Sequence, residues 1–269
     1  MPSFTHHGRR ISYQEHGSGP RALLLTHGLL MDSRMYARLA PELAAHGHRV
    51  ITVDMLGHGV SDQPYEMTAY SMPQFGRDLL ALLDHLELAE AVIGGTSLGA
   101  NVALEAAVAA PARIRALVLE MPVLENALPA AAGAFVPLAL ALRSMQRAMG
   151  LVARLTRRIP RTHYLIDMMI DFVRRDPAAS LAVLDGLIFD RVAPPSSERH
   201  GLTQPALVIG HPKDPVHPFS DADRLARDLA NARLVSAHSM FEWRFTPDRL
   251  DRELLRFLDD VWLPQRAVA

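Results

Sequence analysis

The sequence predicts an α/β fold: a mostly parallel twisted sheet with helices on both faces, interrupted by a helical insertion. Three features support this. Short β-rich apolar runs alternate with helical patterns through the first 120 residues, and near residue 122 they give way to Ala, Leu, Met and Arg without a strand signal. Alternation resumes at residue 206. Repeated strands of this type with helices between them imply a sheet covered on both faces.

Taken in order, strands are expected at residues 21–26, 50–53, 91–94 and 117–119. Apolar residues at helical spacing over 75–86, and an Ala-rich segment over 98–110 stopped by Pro111, supply the crossover helices. Residues 122–200 read as the helical insertion, with the Pro194-Pro195-Ser196-Ser197 cluster marking a boundary near its end. Strands return at 206–210 and 233–237 around a helix at 221–229, and an amphipathic helix follows at about 247–258. The expected organisation is therefore a core in two parts, 1–121 and 201–269, with the insertion 122–200 between them.

Composition narrows the function. The 269 residues are 49% hydrophobic and 21% charged, the balance of a protein with a large core, which rules out disorder, collagen and coiled coil. Lys plus Arg is 28 against 29 for Asp plus Glu, so no positive field exists to concentrate nucleic acid, and none is expected as a partner. The absence of Cys removes disulfides, thiol nucleophiles and thiolate metal sites together. The opening MPSFTHHGRRISY carries no apolar run of signal-peptide length, so a cytoplasmic location is the expectation. The most apolar window, 127–142, is shorter than the ~20 residues of a bilayer span and contains Pro129, Gly133 and Pro137; no membrane span is expected.

The chemistry concentrates around Gly95-Thr96-Ser97-Leu98-Gly99, a G-x-S-x-G pattern directly after the strand at 91–94 and directly before the Ala-rich helix. A strand that turns this sharply into a helix needs glycines, and holds the central residue strained with its hydroxyl exposed. Ser97 is thus the candidate nucleophile, against the plainer use of such a serine as a helix N-cap. A nucleophilic serine needs a base, a carboxylate to orient the base, and donors for the oxyanion. Asp214, in the loop after the strand at 206–210, suits the acid. His238, after the next strand, suits the base and gives the chain order Ser, Asp, His. His217 also follows the acid, but only three residues on, where one short loop would have to supply both groups. Glu120, at the end of the strand at 117–119, is the reserve acid. The backbone N–H groups of Leu29 and Leu98 are the candidate oxyanion hole. In Thr26-His27-Gly28-Leu29-Leu30 the glycine is expected to let the backbone turn beneath the elbow, with His27 shaping that turn. The Gly-rich loop after Asp54 lacks nucleotide-binding spacing.

With these residues in place, the chain resembles the α/β-hydrolase superfamily over nearly its whole length apart from the insertion. The resemblance rests on His27-Gly28, Asp54 with Gly57-His58-Gly59-Val60-Ser61-Asp62, the Ser97 pentapeptide, Asp214 and His238. It implies an α/β-hydrolase fold, a structural Asp54, a Ser97–Asp214–His238 triad, a cap formed by the insertion, and no metal or organic cofactor. One departure stands out. Relatives often carry Gly-His followed five residues later by Glu, whereas here Glu242 follows His238 after four. Aligned on Glu242, Ala237 would occupy the histidine position and the triad would be incomplete.

The expected reaction is cleavage of a carboxylic ester or lactone with an apolar portion. The sequence does not separate esterase from thioesterase, amidase or carbon–carbon hydrolase. By the same resemblance, an epoxide hydrolase or dehalogenase would carry a carboxylate nucleophile, which Ser97 argues against. The alternative is a non-hydrolytic ligand-binding member of the fold with a defective triad, and a peptidase has no specific support. Leu138, Leu140, Leu142, Met145, Met149, Leu151, Leu155, Leu165, Met168, Met169 and Phe172 could line an acyl pocket or pack the insertion. The cluster of Arg154, Arg157, Arg158 and Arg161 reads as a solvated helix face before an anion site. Nothing in the sequence sets the oligomeric state.

Overall fold

The computed structural model describes residues 1–156, 159–160 and 164–263. Its eight strands are β1 (Ser3–His6), β2 (Arg9–His16), β3 (Ala22–Thr26), β4 (Arg49–Asp54), β5 (Ala91–Thr96), β6 (Ile114–Glu120), β7 (Ala206–Gly210) and β8 (Ala232–Ser236). They form one sheet in the order β1-β2-β4-β3-β5-β6-β7-β8. The hairpin β1–β2 and the pair β2–β4 are antiparallel, and every other pair is parallel. The α/β reading is correct, and six of these strands lie where the apolar runs place them. The N-terminal hairpin went unread. It turns on His7 and Gly8, both at positive φ, and buries Phe4, Ile11 and Tyr13.

Helices α1 (Leu39–Ala45), α2 (Met72–His85) and α3 (Leu98–Ala109) cross between the early strands. Between β6 and β7 run α4 (Leu128–Ser144), α5 (Gln146–Thr156), α6 (Tyr164–Arg174), α7 (Pro177–Ile188) and the short α8 (Ser196–Arg199). The chain closes with α9 (Phe219–Asp228), α10 (Glu242–Phe245) and α11 (Asp248–Trp262). Among the described residues, no single helix is long and apolar enough to cross a membrane.

The period-two geometry of buried strands divides the core in two. Leu24, Ile93 and Val208 face one layer with Phe75, Leu79, Leu82 and Leu83 of α2, Val102 and Ala106 of α3, and Leu225 of α9. Leu23, Leu25, Val92, Leu207 and Ile209 face the opposite layer with Leu39 and Leu43 of α1 and Leu250, Leu254 and Leu258 of α11. Helix α3 is buried on all sides from Leu98 to Ala107, which explains its Ala-rich composition: larger residues would not fit between α2 and the sheet.

Two features of this frame position the site. The chain runs from β3 outward to β4, then returns to β5 on the other side of β3, so the carboxyl ends of β3 and β5 form a topological switch point. The parallel register also sets Thr26 beside Gly95, Thr96 beside Glu120, and Glu120 beside Ile209. The start of the helical segment is tied down nearby. The buried Asp221 of α9 accepts backbone N–H bonds from Leu124, Asn126 and Ala127.

Candidate active site

Ser97 follows β5 with φ 55° and ψ −111°, a conformation that costs a non-glycine residue of order 1–3 kcal/mol and persists only where its surroundings hold it. Its N–H donates to the carbonyl of Glu120 at 2.8 Å. The elbow is held by close approach to β3: a Cβ on Gly99 would lie 2.1 Å from the Thr26 carbonyl oxygen, and one on Gly95 2.4 Å from the same atom. Only glycine fits either position. The N-cap use of Ser97 is set aside, because its hydroxyl makes no cap bond to α3. Instead Ser97 Oγ lies 2.8 Å from Nε2 of His217.

The base position is where expectation and structure part. His217 Nδ1 lies 3.0 Å from Asp214 Oδ2, so Ser97, His217 and Asp214 form one hydrogen-bonded chain. A carboxylate only accepts, which puts the ring proton on Nδ1 and leaves Nε2 to accept from the serine hydroxyl. The side chain of Asp214 is 1% exposed and that of His217 17%. His238, the expected base, is 77% exposed and sits beside Glu242, which takes its backbone N–H; it makes no contact with Ser97 or Asp214. Glu242 also binds Arg249 through both oxygens at 2.7 and 2.9 Å, which ties the His238 loop to α11. Ala237, the other residue considered there, is buried and donates its N–H to Gly210.

The short spacing between acid and base is resolved by a side-chain turn. Asp214 Oδ1 accepts the N–H groups of Val216 at 2.8 Å and His217 at 3.0 Å, curling the loop so that the imidazole returns to Oδ2. Lys213 precedes it at φ 62°, and Pro215 and Pro218 restrict the backbone on either side. The segment Asp214-Pro215-Val216-His217-Pro218 was the available signal: an Asp that opens a turn three residues before a His. Burial alone would raise the Asp214 carboxyl, but the bonds from the His217 ring, from the His217 and Val216 N–H groups and the nearby imidazole charge outweigh it, and its pKa is lowered.

Glu120, the reserve acid, serves elsewhere. It receives Arg244 Nη2 at 2.7 Å and the Thr96 hydroxyl on Oε2, while His211 Nε2 lies 3.2 Å from Oε1. Burial pushes this carboxyl up, but Arg244, His211 and Thr96 together bring it down to about 2. The result is a fixed charge beneath the elbow, committed to partners other than His217.

The residues that carry the candidate oxyanion donors lie around the same space. Leu98 N–H opens α3, where a helix leaves its first amides unpaired, and the Leu29 N–H makes no hydrogen bond within the described residues. Both residues line the cavity that holds Ser97 and His217. The turn carrying Leu29 departs from expectation in one respect. Gly28 has ordinary room for a Cβ, with Thr96 O 3.7 Å away, and the left-handed residue is Leu30 at φ 62°. His27 shapes this turn as anticipated: Nδ1 donates to Gly28 O at 2.8 Å and Nε2 accepts Met55 N–H at 3.1 Å. Asp54 holds Ser33 and Val60 through their backbone N–H groups at 2.8 and 2.9 Å, as a structural residue would.

The cavity has a volume of about 250 Å³. Leu128, Ala131, Ala132, Phe135 and Val136 of α4, one face at helical spacing, and Leu184, Leu187 and Ile188 of α7 form much of its wall. Leu29, Met72, Leu98, Val123, Val192 and Val216 complete the apolar surface, and Asn101 is internally satisfied by Val123 and Val192. Among the described side chains, none of the apolar residues proposed from the sequence lines it. Leu138, Leu142 and Met149 pack instead with Leu30 and Leu184, Met168 is buried elsewhere, and Leu140, Met145, Leu151 and Leu155 are exposed. The cavity takes the other face of α4, whose small alanines leave the space. The side chains of Leu165, Met169 and Phe172, and Arg157, Arg158 and Arg161, lie outside the described residues; Arg154 is exposed on α5.

Comparison with known proteins identifies the family and the fold. The alpha/beta hydrolase fold family matches residues 21–239. The enol-lactonase from Burkholderia xenovorans LB400 superposes with a TM-score of 0.78 at 25% identity, covering 96% of this chain and 99% of that one. Among curated proteins, bifunctional epoxide hydrolase 2 of Sus scrofa and an epoxide hydrolase of Caballeronia sordidicola are each 36% identical over 110 residues, 41% of this chain. Those matches span only 20% and 33% of the relatives' own lengths.

Proposed function

The chain belongs to the alpha/beta hydrolase fold family, and from that premise we propose that it is a serine hydrolase acting on a neutral carboxylic ester or lactone with an apolar acyl portion. The observation that carries this is the continuous Ser97–His217–Asp214 hydrogen-bond chain opening into an apolar cavity. His217 Nε2 takes the hydroxyl proton as Ser97 Oγ attacks the acyl carbon. The oxyanion that forms is met by the N–H groups of Leu29 and Leu98, and Asp214 stabilises the imidazolium. Collapse breaks the bond to the leaving oxygen, which leaves with the proton from Nε2. Water then attacks the acyl-enzyme, giving its proton to the same nitrogen and releasing the acid as Ser97 recovers its own.

The epoxide hydrolase relatives prompt a second chemistry, which the nucleophile disfavours. Opening an epoxide with a serine oxygen would leave an ether that water does not cleave, whereas an acyl-serine is an ester and turns over. The irregular His238 loop, the reason to consider a non-catalytic binding protein, loses that force once His217 supplies the base. The helical segment between β6 and β7 serves as the cap: α4 and α7 wall the cavity and set its preference. Among the described residues His217 is the one ionisable side chain lining it, so a substrate with a charged acyl portion finds no counter-charge there.

The test is turnover of a p-nitrophenyl ester series. Neutral acyl chains are expected to be cleaved, dicarboxylic half-esters at least tenfold more slowly, and Ser97→Ala to abolish both. Equal rates on charged and neutral acyl groups would overturn the substrate assignment, and turnover surviving in Ser97→Ala the mechanism.

A further inference from the structure

We propose that Arg175, between α6 and α7, is a positioning residue that holds the Leu29 N–H in place for the oxyanion, so that docking of the helical segment completes the hole. The inference rests on the serine hydrolase reading above. Leu29 sits in a tight turn over residues 28–31, closed by the Met31 N–H to the Gly28 carbonyl at 3.1 Å and strained at Leu30. One end of the turn is anchored from within the core, by His27 on the Gly28 carbonyl. The other end is anchored from outside it: Arg175 Nη2 donates to the Met31 carbonyl at 2.9 Å, and Nη1 to the Gly57 carbonyl at 3.3 Å.

A guanidinium spans these two loops because its donors are fixed in a planar fork. Its approach is set by a neighbouring ion pair, Arg34 to Asp171 at 2.7 Å, with Arg34 also bound to Asp32 at 2.6 Å. Asp32 caps the short helix Ser33–Tyr36 immediately after the turn. Asp171 and Arg175 of the helical segment thus grip the segment that presents Leu29, while Leu30 packs against Leu142 of α4 and Leu184 of α7. The turn itself contributes a positive-φ leucine and no glycine that needs to be there. Its geometry therefore depends on these outside contacts.

The experiment compares wild type with Arg175→Gln and Arg175→Lys in four measurements. These are kcat and KM on p-nitrophenyl butyrate, inhibition by an alkyl trifluoromethyl ketone, inhibition by 1-hexanol, and the melting temperature. The ketone forms a tetrahedral adduct that needs the oxyanion hole, whereas hexanol only fills the cavity. Arg175→Gln is expected to lower kcat ten- to hundredfold and weaken the ketone by the same factor, with KM and hexanol inhibition within threefold of wild type. Arg175→Lys, which retains one donor for Met31 O, should lose three- to tenfold in kcat and in ketone affinity alike. Either variant keeping wild-type kcat and ketone affinity would overturn the proposal. So would a loss that weakens hexanol and the ketone alike, the mark of a collapsed cavity, and if Arg175→Gln does not fold, the Lys variant decides. Unmutated protein that neither turns over esters nor reacts at Ser97 would overturn the underlying reading itself.

Discussion

Asp214 has two separable duties, and an isosteric change divides them. Oδ1 builds the turn by accepting two backbone N–H groups, and Oδ2 faces the His217 ring. In Asp214→Asn the carbonyl oxygen retains the turn, while the amide presents N–H to Nδ1 and forces the ring proton onto Nε2, where it blocks proton uptake from Ser97. At 3.0 Å and an effective dielectric of about 20, the carboxylate–imidazolium attraction in the transition state is about 5 kcal/mol. Its loss corresponds to about 10³- to 10⁴-fold in kcat. Asp214→Ala removes the turn acceptors as well. Two bonds to a charged group at about 1.5 kcal/mol each are worth about 3 kcal/mol, a fall of roughly 6–10 °C in melting temperature for a chain of this size. Paired ester kinetics and thermal melts check both. The reasoning is refuted if Asp214→Asn keeps kcat within threefold of wild type, or if Asp214→Ala loses activity with no fall in melting temperature.

Three further outcomes follow from the geometry. Gly99→Ala should destabilise by about 3 kcal/mol or more, since its Cβ would meet the Thr26 carbonyl at 2.1 Å, while Gly28→Ala, with 3.7 Å of room, should melt within about 2 °C of wild type. Glu120 is depressed in the folded state, so its stabilisation is complete above its unfolded pKa near 4.5 and is lost as pH falls toward 2. That difference amounts to about 3 kcal/mol, and thermal melts of Glu120→Gln between pH 5 and 2 should show a correspondingly flatter acid dependence than wild type. Phe135→Ala should enlarge the cavity and move the preferred p-nitrophenyl acyl chain to longer lengths, read as kcat/KM across the series.

What the sequence made legible, and what it did not, follows from how local each signal is. Parallel strands buried on both faces leave continuous apolar runs, and the elbow needs glycines at fixed offsets from Ser97, so both could be read directly. The β1–β2 hairpin had a comparable signal in Phe4, Ile11 and Tyr13 around His7-Gly8, but β1 is only four residues long and both strands are half-exposed. The cavity wall was hidden because Ala131 and Ala132 on α4 mark it by what they leave empty, while Leu138, Leu142 and Met149 pack against Leu30 and Leu184, and Leu140, Met145, Leu151 and Leu155 face solvent. The histidine beside Ser97 was hidden for a different reason. Chain order favoured His238, and only the folded loop reveals that Asp214 Oδ1 turns the backbone tightly enough to bring a residue three positions away back onto Oδ2. Arg244 and Glu242 explain the irregular loop after β8, which is built around ion pairs to Glu120 and Arg249.

The central claim is that the base comes from the acid's own loop. It is tested most directly by intact-mass kinetics of fluorophosphonate labelling on wild type, Ser97→Ala, His217→Ala and His238→Ala. The account predicts rapid single labelling in wild type and in His238→Ala, none in Ser97→Ala, and a rate lowered by about 10²- to 10⁴-fold in His217→Ala. Rapid labelling in His217→Ala together with its loss in His238→Ala would contradict it.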